Sequence, residues 1–377
     1  MMVLYFSIIF GLYYLFAVTM IYGWGHHVKT DCTLPPRAYI SVVLAVRNEE
    51  KNIEKLLLSL SRQHFPRNQF EIIVVDDGSE DRTVSLIKRQ SAALALDVRT
   101  ITSSGADTRG MASKKTALVQ GIAASRGDII LLTDGDCWFG NEWISTMQGV
   151  FSDPKTMFAA GPVALSGKET LFHRMQSIEF ASLMGSGGAL INLGYPLMCN
   201  GANLAFRKAA FAGVSGYDGT EATPSGDDVF LMQKINQAYR GSVIFNKNPK
   251  ALVFTYPHDS IRALIQQRRR WASKWSDFLL PFSWGLPVFL FLHYSGFVLA
   301  MLWFLIDYRT LLWLLPAIAI KVALDFIILK KAMDFCNLPM GWPAFLMSEL
   351  IYPFYALFTG ISVHFGSYSW KGRKHKM

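Results

Sequence analysis

The sequence of 377 residues predicts an α/β fold with a doubly wound mixed sheet and flanking transmembrane helices. Between residues 38 and 275, short runs rich in β-branched residues alternate with helical patterns, which favours strands that are joined by helices. Long apolar regions at 1–25 and 278–366 lie on either side of this domain, and about 20 apolar residues are enough to cross the hydrocarbon core of a bilayer. A basic tail, 367–377, ends the chain.

The composition also indicates a membrane protein. Charged residues make up only 17% of the chain, below the quarter or so that is usual in soluble domains. The net charge is +9, and much of the excess lies beside apolar stretches, in Arg268–Arg270, Lys330–Lys331 and Lys371–Lys376. Basic residues in such places are typical of the cytoplasmic membrane face and make nucleic acid the less favoured partner. The four widely spaced cysteines indicate neither a disulfide framework nor a zinc site.

The first half of the domain is predicted to contain three strands and three helices. The helix after the first strand has an apolar face that includes Ile53 and Leu57, and we expect Asn48 to cap it. Doubly wound sheets bind ligands at the carboxyl ends of their strands, where the loops of this chain are acidic. The predicted strands are Tyr39–Val46, Glu71–Val75 and Ile129–Thr133, and the later helices are Thr83–Leu94 and Lys114–Ala124.

Three apolar segments follow the domain, at Phe278–Ile306, Leu311–Leu329 and Gly341–Phe365. The second contains Lys321 and Asp325, which are four residues apart and are expected to pair on one helical face. Three full crossings would put the basic tail outside, against the positive-inside tendency. We therefore predict two effective crossings here, with one segment re-entrant or interfacial, and a multi-pass protein of the cell (inner) membrane with a cytoplasmic domain.

Pairs of acids follow two of the predicted strands. Asp76 and Asp77 come after the second strand, where a turn followed by a helix N-terminus is an equally good explanation. Asp134 and Asp136 come after the strand at Ile129–Thr133 and are one residue apart, so both can reach one divalent cation. Mg²⁺ or Mn²⁺ binds such oxygen ligands together with substrate phosphates. An isolated Asp-x-Asp is more often a solvated turn, but the position at a strand end favours a metal site.

Two more groups point to the same edge of the sheet. Lys114 opens a predicted helix, where a cation is unfavourable unless a phosphate or an acidic partner is present. Asp227 and Asp228 precede an apolar helix, and one of them is enough for an N-cap. An adjacent acidic pair also suits a general base, because a neighbouring negative charge raises the pKa of a carboxyl group. We favour catalysis over capping for this pair.

A further motif, Gln267-Arg268-Arg269-Arg270-Trp271, lies just before the first C-terminal apolar segment. Such a basic cluster binds anionic lipid at the membrane surface. Alternatively, its guanidinium groups bind a diphosphate while Trp271 stacks on a sugar. The sequence leaves both roles open.

The order of these motifs resembles the family 2 glycosyltransferases with a GT-A fold, over roughly residues 39 to 275. The resemblance implies nucleotide contacts for Asp76 and Asp77, and a metal-binding motif at Asp134 and Asp136. It also implies a base motif at Asp227 and Asp228, with Asp228 as the base. The remaining donor-binding residues that it implies are Gln267, Arg268, Arg270 and Trp271, within a motif similar to that of processive synthases and ceramide glucosyltransferases. Lys114 is a further candidate donor contact, from its position at the start of a helix and its context.

The acceptor side is less well defined by the resemblance. The loop Cys199–Asn203 looks like the acceptor-side loop of the family, through Asn200, Gly201 and Asn203, but it is also an ordinary Gly/Asn turn. Gly226 before the acid pair is similar to hyaluronan-synthase-like members, which leaves the class of acceptor open. The end of the chain, from Trp370 to Arg373, is similar to the tails of lipid-glycosylating members.

The resemblance implies an inverting, metal-dependent transfer from a nucleotide-sugar donor, expected to be a UDP-sugar, to a lipid or lipid-linked acceptor. Asp228 would deprotonate the acceptor hydroxyl. The segment Thr170–Ile191 fits an interfacial helix and an ordinary core-facing helix equally well. A processive polysaccharide synthase is the alternative, although the membrane segments are few for a polymer channel. A membrane transporter or binding scaffold is disfavoured because about two thirds of the chain reads as soluble α/β.

Overall fold

The computed structural model describes residues 2–26, 38–105, 113–220, 223, 225–272, 284–362, 367–370 and 373–376. The chain divides into two compact units. The first, which we call the sheet unit, comprises His27–Ser166 and Leu190–Tyr256. The second, the helical unit, comprises Met1–His26, Gly167–Ala189 and Pro257–Met377.

The described residues form twelve helices apart from short 3-10 turns. In chain order they are α1 (Met2–Gly25), α2 (Ile53–Ser61), α3 (Thr83–Ala93), α4 (Ser113–Ala124), α5 (Trp143–Gly149), α6 (Leu171–Asn192), α7 (Lys208–Gly213), α8 (Asp227–Ala238), α9 (Ile261–Ala272), α10 (Gly285–Phe304), α11 (Leu311–Phe335) and α12 (Trp342–Ser362).

Twelve strands occur in the same part of the chain. They are β1 (Ile40–Val46), β2 (Phe70–Asp76), β3 (Val98–Thr102), β4 (Ile129–Leu132), β5 (Trp138–Phe139), β6 (Phe158–Ala160), β7 (Val163–Leu165), β8 (Leu204–Arg207), β9 (Val243–Phe245), β10 (Val253–Thr255), β11 (Ser367–Trp370) and β12 (Arg373–Lys376).

The sheet unit is built on a seven-stranded mixed sheet with the order β3-β2-β1-β4-β8-β6-β9. The first four of these strands are parallel, and β8 runs antiparallel to both β4 and β6. A smaller sheet, β5-β10-β7, completes the unit. β2 is buried along its whole length, as its β-branched run predicts for a strand covered on both faces. The predicted fold class is therefore confirmed, and the three predicted strands match β1, β2 and β4 within a residue at each end.

The predicted face of α2 is buried as expected, through Ile53, Leu56, Leu57 and Leu60. The predicted cap is wrong. The residue before the helix is Asn52, and its side chain makes no capping bond, while Asn48 has a φ of 52° and accepts a hydrogen bond from the Glu80 backbone N–H at 2.9 Å. The reason is an extra turn after β1, which separates Asn48 from the start of the helix.

The helical unit contains three helices that are long and apolar enough to cross a membrane, at Leu4–Gly25, Gly285–Phe304 and Trp342–Ser362. α11 is continuous over 25 residues but carries several charged residues. The number of crossings stays a prediction. The part of the basic tail that the structure describes forms a hairpin of β11 and β12.

The predicted pair in α11 is confirmed, and it belongs to a larger cluster. Lys321 Nζ donates to Asp325 Oδ2 and to Glu349 Oε2, both at 2.6 Å, and the Tyr13 hydroxyl donates to Asp325 Oδ1 at 2.6 Å. Three helices, α1, α11 and α12, are thereby joined by buried polar groups. Glu349 lies 28 residues from Lys321, so the spacing of a single helix does not predict it as the third partner.

Candidate active site

The loop after β2 is a tightly bonded turn at the carboxyl edge of the sheet. Asp76 and Asp77 are 7% and 4% exposed, and the Asp76 carboxylate accepts the Ser79 backbone N–H at 3.1 Å. The Asp77 backbone N–H donates to the Val46 carbonyl at 2.9 Å, and Arg47 donates to the Asp77 carbonyl at 2.9 Å. The turn explanation for this acid pair is therefore confirmed. A nucleotide contact is compatible with it and stays a prediction.

Asp134 and Asp136 lie in the loop between β4 and β5, and both are partly exposed. Gly135 between them packs so closely that a Cβ there would lie 2.8 Å from Glu49 Cγ, which fixes the loop against the residues after β1. The buried Cys137 thiol contacts Asp136 Oδ1 at 3.6 Å. Burial, followed by the charges of Asp136 and Asp134, raises the pKa of this thiol well above its usual value.

Lys114 joins the acids of two separate loops. Its Nζ lies 3.1 Å from Asp134 Oδ1 and 3.3 Å from Asp227 Oδ2, and its side chain is 19% exposed. A cation in the first turn of a helix is unfavourable unless a phosphate or an acidic group is close to it, and in the structure Lys114 has two acidic partners. The neighbouring Lys115 is 1% exposed and donates to the carbonyl and hydroxyl oxygens of Thr220. The first turn of α4 thus connects three segments of the site.

Asp228 is held by backbone donors on both of its oxygens. Oδ2 accepts the Gly201 N–H at 3.0 Å, and Oδ1 accepts the Val229 N–H at 2.8 Å. The N-cap of α8 is Gly226, which has a φ of 86° and a conformation that favours glycine. Capping by the acid pair is therefore wrong. Both acids lie in the first turn, where the helix dipole stabilises negative charge.

One of the three predicted acceptor-side residues, Gly201, contacts this acid pair. The backbone of Gly201 contacts Asp228, and Asn200 Oδ1 closes a local turn by accepting the Ala202 N–H at 3.0 Å. Asn203 corrects the prediction. It is fully buried, donates to the Pro162 and Ala251 carbonyls at 2.8 Å each, and accepts from the Trp143 indole at 3.0 Å. The amide of Asn203 is therefore hydrogen-bonded within the core and does not face a ligand.

The residues Gln267 to Trp271 belong to α9 in the helical unit. In the structure Arg268 has an acidic partner from another helix, and its binding of a diphosphate stays a prediction. Its guanidinium is 5% exposed and forms a two-pronged pair with Glu179 of α6, at 2.9 and 2.8 Å, and it also donates to Gln267 Oε1. Burial lowers the pKa of Arg268, but the charge and hydrogen bonds of Glu179 outweigh it and raise the pKa. Trp271 stacks against this guanidinium, 4.4 Å from it.

Glu179 is a residue that sequence reasoning missed. It accepts a third hydrogen bond from the Tyr355 hydroxyl of α12 at 3.2 Å, so three helices meet at one carboxylate. The only sequence signal was an acid within a largely apolar helix. Gln267, Arg270 and Trp271 remain predicted donor contacts.

The donor set of the loop between β4 and β5 fits a divalent cation. Two carboxylates one residue apart supply hard oxygen ligands, and Mg²⁺ characteristically binds one or two carboxylates together with substrate phosphates. Among the described residues no group of three or more His, Cys, Asp or Glu side chains is placed to hold a metal by itself. Asp134 and Asp136 therefore suit an ion that shares its ligands with a bound phosphate.

Comparison with known proteins agrees with this arrangement. The sequence profile described as "Glycosyl transferase family 2" matches residues 41–214, and the profile described as "Glycosyl transferase family group 2" matches residues 129–355, which is more than half of the chain. The mixed sheet, with four parallel strands at one side, is of the GT-A type. The chain belongs to the family 2 glycosyltransferases.

Individual relatives are more distant. The chain is 27% identical over 258 residues to the poly-β-1,6-N-acetyl-D-glucosamine synthase of Staphylococcus aureus, covering 67% of this chain and 58% of that protein. It is 34% identical over 125 residues to the glycosyltransferase AglE of Haloferax volcanii, covering 32% of this chain and 38% of that protein. The match thus spans little more than half of the length of the synthase.

A solved structure shares the fold over nearly the whole chain. The mannosyltransferase PcManGT from Pyrobaculum calidifontis, in complex with GDP-Man and Mn²⁺, aligns with a TM-score of 0.56 and 18% identity, covering 97% of this chain and 98% of that one. The protein therefore shares the fold of that mannosyltransferase.

Proposed function

We propose that the protein is an inverting glycosyltransferase that moves a sugar from a nucleotide donor to a lipid or lipid-linked acceptor at the cytoplasmic membrane face. The observation that carries the proposal is the position of Lys114 between Asp134 and Asp227, beside the oriented carboxylate of Asp228. Acids from two segments, the loop after β4 and the first turn of α8, meet a cation of α4 at the carboxyl edge of a mixed sheet, where such folds bind their ligands.

Asp228 acts as the general base in this proposal. Its carboxylate accepts one backbone N–H on each oxygen, which fixes its orientation. Asp228 removes the proton of that hydroxyl, the oxygen attacks the anomeric carbon, and the nucleoside diphosphate leaves from the opposite face. Lys114 would stabilise the charge on the leaving diphosphate.

Asp134 and Asp136 would hold the divalent cation, which supplies Lewis-acid stabilisation of the leaving diphosphate. The Mn²⁺ and GDP-Man of the mannosyltransferase complex support a metal and a nucleotide-sugar donor of the same general kind. We expect a UDP-sugar here. Asp76 and Asp77 are the proposed nucleotide contacts, and Gln267, Arg270 and Trp271 are proposed to act on the donor side as well.

The lipid acceptor is supported by the membrane character of the chain. Three helices are apolar and long enough to span, and they belong to the same chain as the acid cluster. Basic residues end α9, at Arg269 and Arg270, as is typical of a cytoplasmic membrane face. A membrane enzyme of this kind meets lipid acceptors without releasing them into water.

A processive polysaccharide synthase is the second candidate. It is favoured by the name of the relative from Staphylococcus aureus, a synthase of a polymer of N-acetylglucosamine. To separate the two, membranes containing the protein are incubated with labelled UDP-sugars and Mg²⁺ or Mn²⁺. Label that enters the organic phase supports a lipid acceptor, whereas aqueous product of high mass favours the synthase. No transfer of label in any form would contradict both.

Two variants test the mechanism, one in the transfer assay and one by calorimetry of UDP binding. Asp228→Asn is expected to bind UDP normally and to lose transfer by a factor of about 10² to 10⁴, the usual worth of a general base. Asp136→Ala is expected to lose metal-dependent UDP binding in calorimetry. Asp97→Asn, at an exposed carboxylate before β3, is the control for loss of an acid. Unchanged turnover of Asp228→Asn would remove Asp228 as the base, and normal UDP binding by Asp136→Ala would remove the metal site.

A further inference from the structure

A groove lies at the edge of the seven-stranded sheet opposite the acid cluster of the candidate active site. It has a volume of about 680 Å³, and all of its lining residues belong to the sheet unit. They include Ile129, the first residue of β4, and its partner Arg207, the last residue of β8. Asp134 follows the other end of β4, so the length of that strand lies between the groove and the proposed donor site. Pockets that hold small molecules have volumes of about 300–1,000 Å³, and the groove falls within this range.

Three cationic side chains line the groove. Arg126 lies just before β4, and Arg207 and Lys208 lie where β8 continues into α7. Asp128 is the one acid of the lining. Glu71 pairs with Arg126 at 3.1 Å and offsets part of its charge, although the Arg126 side chain remains 63% exposed. The lining therefore keeps an excess of positive charge, which favours an anionic ligand.

Two of these cations are held by neutral groups. Arg207 donates from Nε to the Thr156 carbonyl and from Nη2 to the Phe151 carbonyl, both at 2.9 Å, and a third main-chain carbonyl lies 3.3 Å from Nη2. Lys208 donates to the Ser125 carbonyl at 2.6 Å. Over the residues that the structure describes, neither side chain pairs with a carboxylate. A carbonyl fixes a cation without cancelling its charge, so both groups can still bind a phosphate, which a guanidinium fork matches in geometry.

Gln148 of α5 adds a buried polar group to the lining. The residue is 5% exposed, and its side-chain amide makes no hydrogen bond within the described part of the chain. Almost all buried polar side chains have a partner, because an unpaired one loses its bonds to water without replacement. A ligand in the groove would supply that partner. The Gln148 amide is thus evidence for an occupant that does not depend on the charge of the lining.

The shape of the groove is fixed by the fold. The Gly127 backbone N–H donates to the Ser41 hydroxyl at 2.8 Å, and a Cβ on Gly127 would lie 2.5 Å from the Ser41 backbone nitrogen. The segment that carries Arg126 therefore packs directly on β1. The bonds of Arg207 in turn hold the segment after α5 against the end of β8. Such a preformed site needs little ordering when a ligand binds.

We propose that this groove is a second binding site of the protein, which takes a small phosphate-bearing molecule. Arg207 and Lys208 bind the phosphate, and the Gln148 amide bonds to another polar group of the ligand. The phosphate is that of a free nucleotide or of a lipid headgroup, and the groove recognises the chemistry that both share. The site is separate from the proposed function, because none of its residues takes part in the proposed transfer.

Calorimetry on the full-length protein in detergent tests the site, with ADP as the probe and EDTA present. EDTA removes the divalent cation on which binding at the proposed donor site depends. The wild type is expected to bind ADP, and Lys208→Gln to bind it about 10- to 100-fold more weakly, as for the loss of a hydrogen bond between charged groups. Ala209→Glu adds a carboxylate at an exposed lining position and removes no side-chain bond, so it should abolish binding without disturbing the fold.

Lys88→Gln, at an exposed lysine of α3, is the matched control and should bind ADP as the wild type does. Asp136→Ala should also keep this binding, because the groove is separate from the proposed metal site. Glycerophosphoglycerol, the headgroup of phosphatidylglycerol, is titrated in parallel to separate the two sources of phosphate. Tighter binding of this compound than of ADP identifies a lipid headgroup, and weaker binding identifies a free nucleotide.

Three results would overturn the proposal. The first is that the wild type binds neither compound. The second is equal binding by the wild type, Lys208→Gln and Ala209→Glu. The third is loss of ADP binding in Asp136→Ala, since the probe would then occupy the donor site.

Discussion

The pair formed by Arg268 and Glu179 offers the sharpest test of the structure, because two explanations of Arg268 predict opposite results. In the structure, the two side chains are 6% and 11% exposed and make two short N–H to oxygen bonds. Tyr355 adds a third bond to the same carboxylate. If Arg268 instead binds a diphosphate, its loss should affect ligand binding and leave the fold alone.

The magnitude follows from burial. Glu179→Ala leaves the buried guanidinium of Arg268 without its counter-charge, and Arg268→Met leaves the buried carboxylate of Glu179 without its own. Breaking one side of a buried ion pair costs about 3–5 kcal/mol. Replacing both partners by apolar groups, as in Glu179→Leu with Arg268→Met, should recover most of this loss, because neither charge then remains buried. The two single changes are thus expected to be strongly non-additive.

Thermal unfolding of the detergent-solubilised protein, followed by circular dichroism, measures these effects. Each single variant is expected to lower the midpoint by roughly 5–10 °C, and the double variant by much less. Arg262→Met, at an exposed arginine of the same helix, is the control and should have almost no effect. Wild-type midpoints for both single variants, together with a tenfold loss of UDP affinity in Arg268→Met alone, would refute the structural role.

Two further outcomes follow from other charged groups. Lys321→Met leaves the buried carboxylates of Asp325 and Glu349 without their cation and should lower the free energy of unfolding by about 3–5 kcal/mol. Lys330→Met, at an exposed ion pair on the same helix, is the control and should lower it by at most about 1 kcal/mol. Equal effects of the two variants on the thermal midpoint would contradict the buried cluster. For Glu71, burial raises the pKa, but bonds from Arg126 and Ser41 outweigh it and lower the pKa below its usual value near 4.3. Its contribution to stability is therefore present above about pH 4 and is lost as the pH falls through the folded-state pKa. Glu71→Gln should therefore flatten the fall in thermal midpoint below about pH 4.

Much of the architecture could be predicted because local pattern decides it. The apolar runs of β1, β2 and β4, and the apolar face of α2, are periodicities that a chain can satisfy only by burying them. The acids at the ends of β2 and β4 follow from the same reasoning, since parallel strands bring their carboxyl ends to one edge. The pairing of Lys321 with Asp325 needed only the spacing of a helix.

Other features depended on partners that are far away in the sequence. Arg268 reads as a ligand-binding residue until Glu179, 89 residues earlier, is placed against it. Asn203 reads as a loop residue until the carbonyls of Pro162 and Ala251 surround its amide. A guanidinium or an amide binds whichever acceptor the fold brings near, and residue type alone does not specify that acceptor.

The sequence by itself determined that this chain has a mixed α/β sheet beside apolar helices, and that its acids lie at strand ends. The tertiary structure alone decided which of the polar residues meet. It brought Lys114 between Asp134 and Asp227, and it placed the Glu179 carboxylate against the Arg268 guanidinium. The physical reason is that periodic burial is a property of neighbouring residues, whereas charges and hydrogen bonds are paired across the fold.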